Sequence, residues 1–491
     1  MNLATSKSVN NLTILLIVVF FLYILVNSLI EGGRWDLNEQ IAFGDRLSSG
    51  ISTYANGITD LYFPSSPYFP GVGFLSALYQ YIGIDNIYVN NQLMLLTAVF
   101  IGIVYFILLR KLTIKIYPTI PSIIVTSMLV LFFSTHFSAY IFYMKEFKPD
   151  TILLVFATII FLILEKGSKP KVIELIIIGS ILFISVFFKQ SFFLVYFIAL
   201  ISIFTNSFLE IKNKIFLLFL YASIGLLALY IVLNINNLIY FSIETMGKHS
   251  MLNMKTIIYF FGMNFLKNII FLIPLIYFMI KNYQNYSLKN IESKYFTFAF
   301  VWFIFSAVST AKSGGNAGNF EVGIIVAIPF VIYTLHNFFK GLYSNIYFYR
   351  IIMTILLVLI FAYSYAGIKN TMKLNNTIVN NNVSIKYLTD KFKGKSAFID
   401  GNTYILSKMS GLNIVTEAET LGHFNNVPNY DMYNIKNALK NQKYDLIFVK
   451  KIPEYYVDKD INKLMMNNYE ILIDTEMPKY LKSKILVRKR K

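Results

Sequence analysis

Long apolar runs alternate with short polar connectors over the first three quarters of the chain. They fall near 12–30, 91–109, 119–141, 150–164, 172–188, 191–205, 215–233, 257–280, 295–311, 320–338 and 350–368. A helix needs ~20 mostly apolar residues to cross a bilayer, so the pattern predicts about eleven spans. The runs at 150–164 and 191–205 are short by that measure. The first run follows Lys7 and has no small-residue cleavage pattern after it, so it is expected to be a retained helix rather than a removed signal peptide. After residue 368 the pattern changes. Short strand-like segments at Ser396–Asp400, Asp445–Lys450, Glu470–Asp474 and Lys484–Val487 alternate with helical stretches at Asn434–Asn441 and Ile461–Met466. Such alternation predicts a small α/β domain over 384–491, joined to a membrane domain over 1–368 by an asparagine-rich linker at 369–383.

One break in the apolar pattern is too long to be a connector. Residues 31–90 carry Asp36, Glu39 and Asp45, then the dense segment Tyr62-Phe63-Pro64-Ser65-Ser66-Pro67-Tyr68-Phe69-Pro70-Gly71. Loops beyond roughly 12–15 residues are usually functional or disordered. This one is too rich in aromatic and branched residues for disorder. It reads as the active-site segment of a membrane enzyme.

Composition sharpens the class. The 491 residues are 56% hydrophobic and only 14% charged, which excludes an ordinary soluble globule. The net charge of +18 is not a nucleic-acid footprint, because much of it lies in connectors where lysine and arginine set membrane orientation. With a cytoplasmic N-terminus, the inner connectors hold Arg110, Lys111, Lys115, Lys166, Lys169, Lys171, Lys212, Lys214, Lys281, Lys289, Lys294, Lys340 and Arg350. The long first loop and the C-terminal domain then lie outside the cytoplasm, in a multi-pass protein of the plasma or inner membrane. Cysteine is absent, so disulfides, thiolate metal sites and cysteine nucleophiles are excluded.

Four polar clusters carry candidate chemistry, and each has a plainer reading beside it. Asp36 follows Gly32-Gly33-Arg34-Trp35 just beyond the first run, where it can act as a base near lipid head groups or simply pair with Arg34. Lys145-Glu146-Phe147-Lys148-Pro149-Asp150 precedes the fourth run. There Asp150 can cap a helix, or Lys148 can bind phosphate while Asp150 orients a metal or a hydroxyl. Lys189-Gln190 stands between two apolar runs, where the lysine either snorkels or neutralises a departing phosphate. Lys312 opens a glycine-rich loop that reaches Asn319 and Glu321, which is either an ordinary turn or a phosphate or sugar contact. Two other signals fail. Gly394-Lys395-Ser396 lacks the first P-loop glycine, since position 389 is Thr389, and the four histidines are far apart without an HExxH. A divalent ion, if used, would rest on carboxylates such as Asp36 and Asp150.

In this order the features resemble the GT-C superfamily of integral-membrane glycosyltransferases, which includes protein O-mannosyltransferases and lipid A aminoarabinose transferases. The resemblance covers roughly residues 10–370. It rests on Asp36 with Ala42, Gly50 and Tyr54, on the Tyr62–Gly71 segment leading to Phe74-Leu75, on the Lys148-Pro149-Asp150 turn, and on the Gly-Asn-x-Glu loop at 318–321. It implies a GT-C-like helix bundle with an extracytoplasmic α/β domain. It also implies transfer of a sugar, with inversion, from a polyprenyl-phosphate donor to a glycan, lipid or protein acceptor of the cell envelope. By position, Asp36 would be the acceptor base and Asp150 the second-loop acid. Lys148, Lys189, Gln190, Lys312, Asn319, Glu321, Tyr62 and Tyr68 would hold donor or substrate. Leu37 follows Asp36 where some relatives carry a second acid. The competing classes are a transporter or flippase of lipid-linked saccharides, with ionisable groups at mid-membrane, and a polymerase of lipid-linked repeat units.

Overall fold

The computed structural model describes residues 35–50, 69–84, 86–135, 147–235, 268–282, 286–311, 317–343, 381–399, 403–417, 433–448, 459–479 and 485–489, with scattered positions between them. Two compact units emerge. One gathers residues 1–28, 97–231 and 252–370; the other gathers 29–96, 232–251 and 371–491.

The first unit is a helix bundle. A long helix, α3 (Ile87–Ile116), begins in the second unit and enters it. There follow α4 (Ser122–Thr135), α5 (Pro149–Leu164), α6 (Val172–Ser185), α7 (Phe193–Thr205), α8 (Ile211–Leu233), α9 (Ile269–Asn282), α10 (Ile291–Ala311) and α11 (Ala317–Tyr343). Each matches one of the apolar runs. Three described stretches are long and apolar enough to cross a membrane: Ile87–Ile116, Ile211–Leu233 and Ile291–Ser309. The surface fits the same environment. Ile211, Phe216, Phe219, Leu226 and Tyr230 of α8 and Val172, Ile173 and Ile176 of α6 are all exposed. In water this would be an aggregating patch; in a bilayer it is the lipid face. The chain is a membrane protein.

Aromatic packing and close backbone approach hold the bundle together. Tyr295 of α10 lies with its ring centroid 5.3 Å from that of Phe161 and 5.8 Å from that of Phe330, and its hydroxyl donates to the Val326 carbonyl at 3.1 Å. Helices α10 and α11 come together at Gly323, where an added Cβ would lie 2.8 Å from Ser306 Cβ and 3.0 Å from Phe303 Cα. Pro274 interrupts α9, and its carbonyl accepts from the Thr334 hydroxyl at 3.3 Å.

The second unit joins the first long loop to the C-terminal domain. Among the described residues the loop holds the helices α1 (Trp35–Ser48) and α2 (Gly71–Tyr81). Helix α1 ends at Gly50, whose φ of +70° suits glycine alone among residues without strain and whose N–H reaches Leu47 O at 3.1 Å. Gly44 and Gly73 let α1 and α2 pack closely, against Ser76 and Phe43 respectively.

Among the described residues the C-terminal domain has five strands in one sheet, in the order β2-β1-β3-β5-β4. Its strands are β1 (Ser396–Ile399), β2 (Asn413–Glu417), β3 (Leu446–Phe448), β4 (Tyr469–Ile471) and β5 (Ile485–Arg488). β1 pairs in parallel with β2 and β3, while β5 runs antiparallel to β3 and β4. Helices α12 (Tyr404–Met409), α13 (Tyr433–Lys440) and α14 (Lys459–Asn468) connect the strands. Residues 381–392 are helical, so helix begins within the stretch expected as linker; the rest of 369–383 lies outside the described residues. Gly394, the failed P-loop glycine, sits in a plain turn with φ +78°, its N–H on Gly411 O at 2.8 Å.

Candidate active site

Helix α5 opens on an unusual turn. Phe147 is buried with φ +48°, a left-handed conformation that costs a non-glycine residue on the order of 1 kcal/mol. Lys148 follows in extended backbone, and Pro149 starts the helix with its φ already suited to that position. The turn sets Asp150 in the first helical turn, where a carboxylate favours the helix dipole.

Asp150 is more than a cap. The chain between α6 and α7 brings Lys189, in extended backbone, to its carboxylate. Lys189 Nζ donates to Oδ2 at 2.6 Å and Ser191 Oγ donates to Oδ1 at 3.2 Å. The Asp150 side chain is 8% exposed and that of Lys189 19%. At such burial an ion pair holds only because both members are satisfied. Around it Trp302, Phe305, Ser306 and Ser309 of α10 and Val322 of α11 leave a cavity of only about 10 Å³. That is about the space a single water molecule needs, so the ion pair is closely packed on this side.

The expected site residues divide as follows. Lys148, Asp150 and Lys189 fall in one unit, with Asp150 and Lys189 in direct contact and Lys148 buried two residues ahead of Asp150. Gln190 is exposed at the start of a 3-10 turn, Gln190–Phe192. Asp36 lies in the first turn of α1, and Asn319 and Glu321 lie at the start of α11; the side chains of all three are outside the described residues. Tyr62, Tyr68 and Lys312 are outside them altogether. Among the described residues no three His, Asp or Glu side chains converge as a metal site. Both oxygens of Asp150 accept a hydrogen bond, one from Lys189 and one from Ser191.

Two polar contacts had no signal in the chain pattern. At the far end of α5, Glu165 accepts from Lys294 Nζ at 2.7 Å, both side chains buried. In the second unit, Asp45 of α1 accepts from Tyr404 Oη at 2.9 Å and Lys408 Nζ at 2.7 Å. Burial and the Asp45 carboxylate push the Tyr404 phenol well above its ordinary range. Ser191 was within reach of sequence reasoning, since it directly follows Lys189-Gln190.

No protein family and no curated protein matches this sequence. A solved structure does: ArnT from Cupriavidus metallidurans, in the apo state, with a TM-score of 0.58 over 96% of this chain and 97% of that one, at 12% identity. The chain has the GT-C fold. The sequence resemblance is thus met at the level of architecture, and over a span that takes in the C-terminal domain as well as the membrane helices. Within this GT-C fold the described ion pairs of α5 stand at its two ends, Asp150 at the start and Glu165 just past the last residue.

Proposed function

We propose that the protein transfers a sugar from a polyprenyl-phosphate donor to a hydroxyl of an acceptor outside the cytoplasm, with inversion at the anomeric carbon. The observation that carries this reading is the buried Asp150–Lys189–Ser191 cluster at one end of α5, in a chain folded like ArnT. Lys189 and Lys148 supply positive charge where a lipid phosphate would depart, and Asp150 fixes Lys189 so that little reorganisation is needed during reaction. Asp36 acts as the general base. It takes the acceptor's proton as the acceptor oxygen bonds to the anomeric carbon; the bond from that carbon to the phosphate oxygen breaks, and its electron pair leaves with the polyprenyl phosphate. Tyr62, Tyr68, Gln190, Lys312, Asn319 and Glu321 hold donor or acceptor, and the basic connectors orient the chain with its N-terminus in the cytoplasm.

A carrier of lipid-linked saccharides would place ionisable groups in mid-membrane. The charges of α5 stand at its ends instead, which favours the enzyme.

The test is release of polyprenyl phosphate by the purified protein from a panel of polyprenyl-phosphate sugars, with the anomeric configuration of the product read by NMR. Wild type should release it with inversion. Asp36→Asn should lose about 10²–10⁴-fold in turnover while keeping its melting temperature. Full activity in Asp36→Asn would remove the assigned base, and retention of configuration would remove the single-displacement step.

A further inference from the structure

The second unit contains an interaction between parts of the chain some 360 residues apart. Strand β1 lies between β2 and β3, so the connection from β1 to β2 and the next one, from β2 to β3, run in opposite directions across the sheet. In open α/β sheets the crevice at the carboxyl ends of such strands is the usual ligand position. Helix α12 begins a few residues beyond the carboxyl end of β1, and here it meets α1 rather than open space: Tyr404 and Lys408, one turn apart, both donate to Asp45 Oδ2. Tyr404 is 6% exposed, so its hydroxyl depends on this partner. The same half of α1 is gripped by α2, through the close approach of Gly44 to Ser76, the Ser48–Gln80 contact and the Tyr81 hydroxyl on Leu47 O. Asp36 and Asp45 are nine positions apart on one helix, which places them half a turn out of phase and about 13 Å apart along its axis.

We propose that the carboxyl edge of the C-terminal sheet is a docking surface for α1, and that Asp45, Tyr404 and Lys408 act as positioning residues which set the helix carrying Asp36. The C-terminal domain is then part of the transfer machinery through the opposite face of the catalytic helix. This rests on the reading of Asp36 as base.

The absence of cysteine permits a clean test. Asp45→Cys combined with Lys408→Cys gives two unique thiols that a short bismaleimide can bridge. Before bridging, turnover should fall by about tenfold to 10²-fold, with KM for the donor little changed. Bridging should restore most of it. Hydrogen exchange over 37–48 should speed up in the double variant and slow again once bridged. Tyr404→Phe, a milder change, should shift exchange in the same direction. Wild-type turnover in the unbridged variant, or exchange over α1 that ignores both the variant and the bridge, would overturn the proposal. Should the wild type release no polyprenyl phosphate, the functional reading fails by itself. The exchange measurement then decides the docking contact: unchanged exchange overturns it, and bridge-reversible exchange upholds it.

Discussion

Asp150 and Asp45 each accept from a lysine and a hydroxyl, yet the two clusters differ in how the chain makes them and in what surrounds them. The partners of Asp150 are 39 and 41 residues away, on the turn between successive membrane helices, and its lysine is four-fifths buried. The partners of Asp45 are 359 and 363 residues away, and Lys408 is 43% exposed. Burial makes the first pair costly to break. Exposure leaves Lys408 a weak contributor by itself, since solvent screens it. The buried Tyr404 hydroxyl carries more of the second contact. The buried pair in the bundle is thus the costlier of the two to break.

The sharpest way to break this contrast is Asp150→Asn. It should leave Lys189 buried without its counter-charge and cost about 3–5 kcal/mol of stability, read as a lowered melting temperature in detergent. Adding Lys189→Met should recover much of that stability without recovering turnover. Recovery of both would make the pair purely structural. Next in size is Gly323→Ala, whose Cβ would press on the Phe303 backbone and on Ser306 of the pocket wall. Overpacking of this kind costs about 1–3 kcal/mol, and the same melt reads it. Tyr404→Phe removes a hydrogen bond to a carboxylate and should cost about 1.5–3 kcal/mol, towards the low end because Lys408 remains on Asp45. An undetectable change would mean that the hydroxyl is replaced by water.

The smallest effect expected is one of pH. The Lys391 ammonium and the Tyr387 hydroxyl, both bonded to Asp474, hold its carboxyl at about 2, below the ordinary carboxylate value of about 3.9. The unfolded chain therefore binds the proton first as pH falls. The stabilisation is complete above about pH 4 and is lost on acidification towards pH 2. Asp474→Asn should flatten the melting temperature over that interval and leave its pH dependence at neutrality unchanged. An identical acid slope in the variant would contradict the assignment.

What could be read from the sequence follows from range. Membrane helices declare themselves by apolar length, so the runs at 150–164, 172–188 and 191–205 correspond closely to α5, α6 and α7. Strands β1, β3 and β5 carry short apolar runs and were legible, while the segment expected at Glu470–Asp474 meets β4 only at Glu470 and Ile471. β2, Asn-Ile-Val-Thr-Glu, was not, because its outer residues are polar and its place at the sheet edge demands little of them. Lys189 was legible as an isolated charge among apolar neighbours, and Asp150 as the last acid of the charged cluster at 145–150. The salt bridge between them was not, nor was that between Glu165 and Lys294, since nothing local encodes which helix ends meet. Tyr404 and Lys408 sat in a segment with no chemical signature at all, and only the folded sheet brings them to Asp45.

The three helices around the Asp150 pair have a consequence for the lipid. Helices α5, α6 and α7 hold 16, 14 and 13 residues. At 1.5 Å per residue they are roughly 24, 21 and 20 Å long, against a hydrocarbon core of about 30 Å. A bilayer meets helices this short by thinning or by the snorkelling of flanking side chains. Where the bilayer thins, head groups are drawn inward on this flank, towards the helix ends. A thicker membrane would raise the work of that adjustment, so bilayer thickness bears on how stably this flank sits in the membrane.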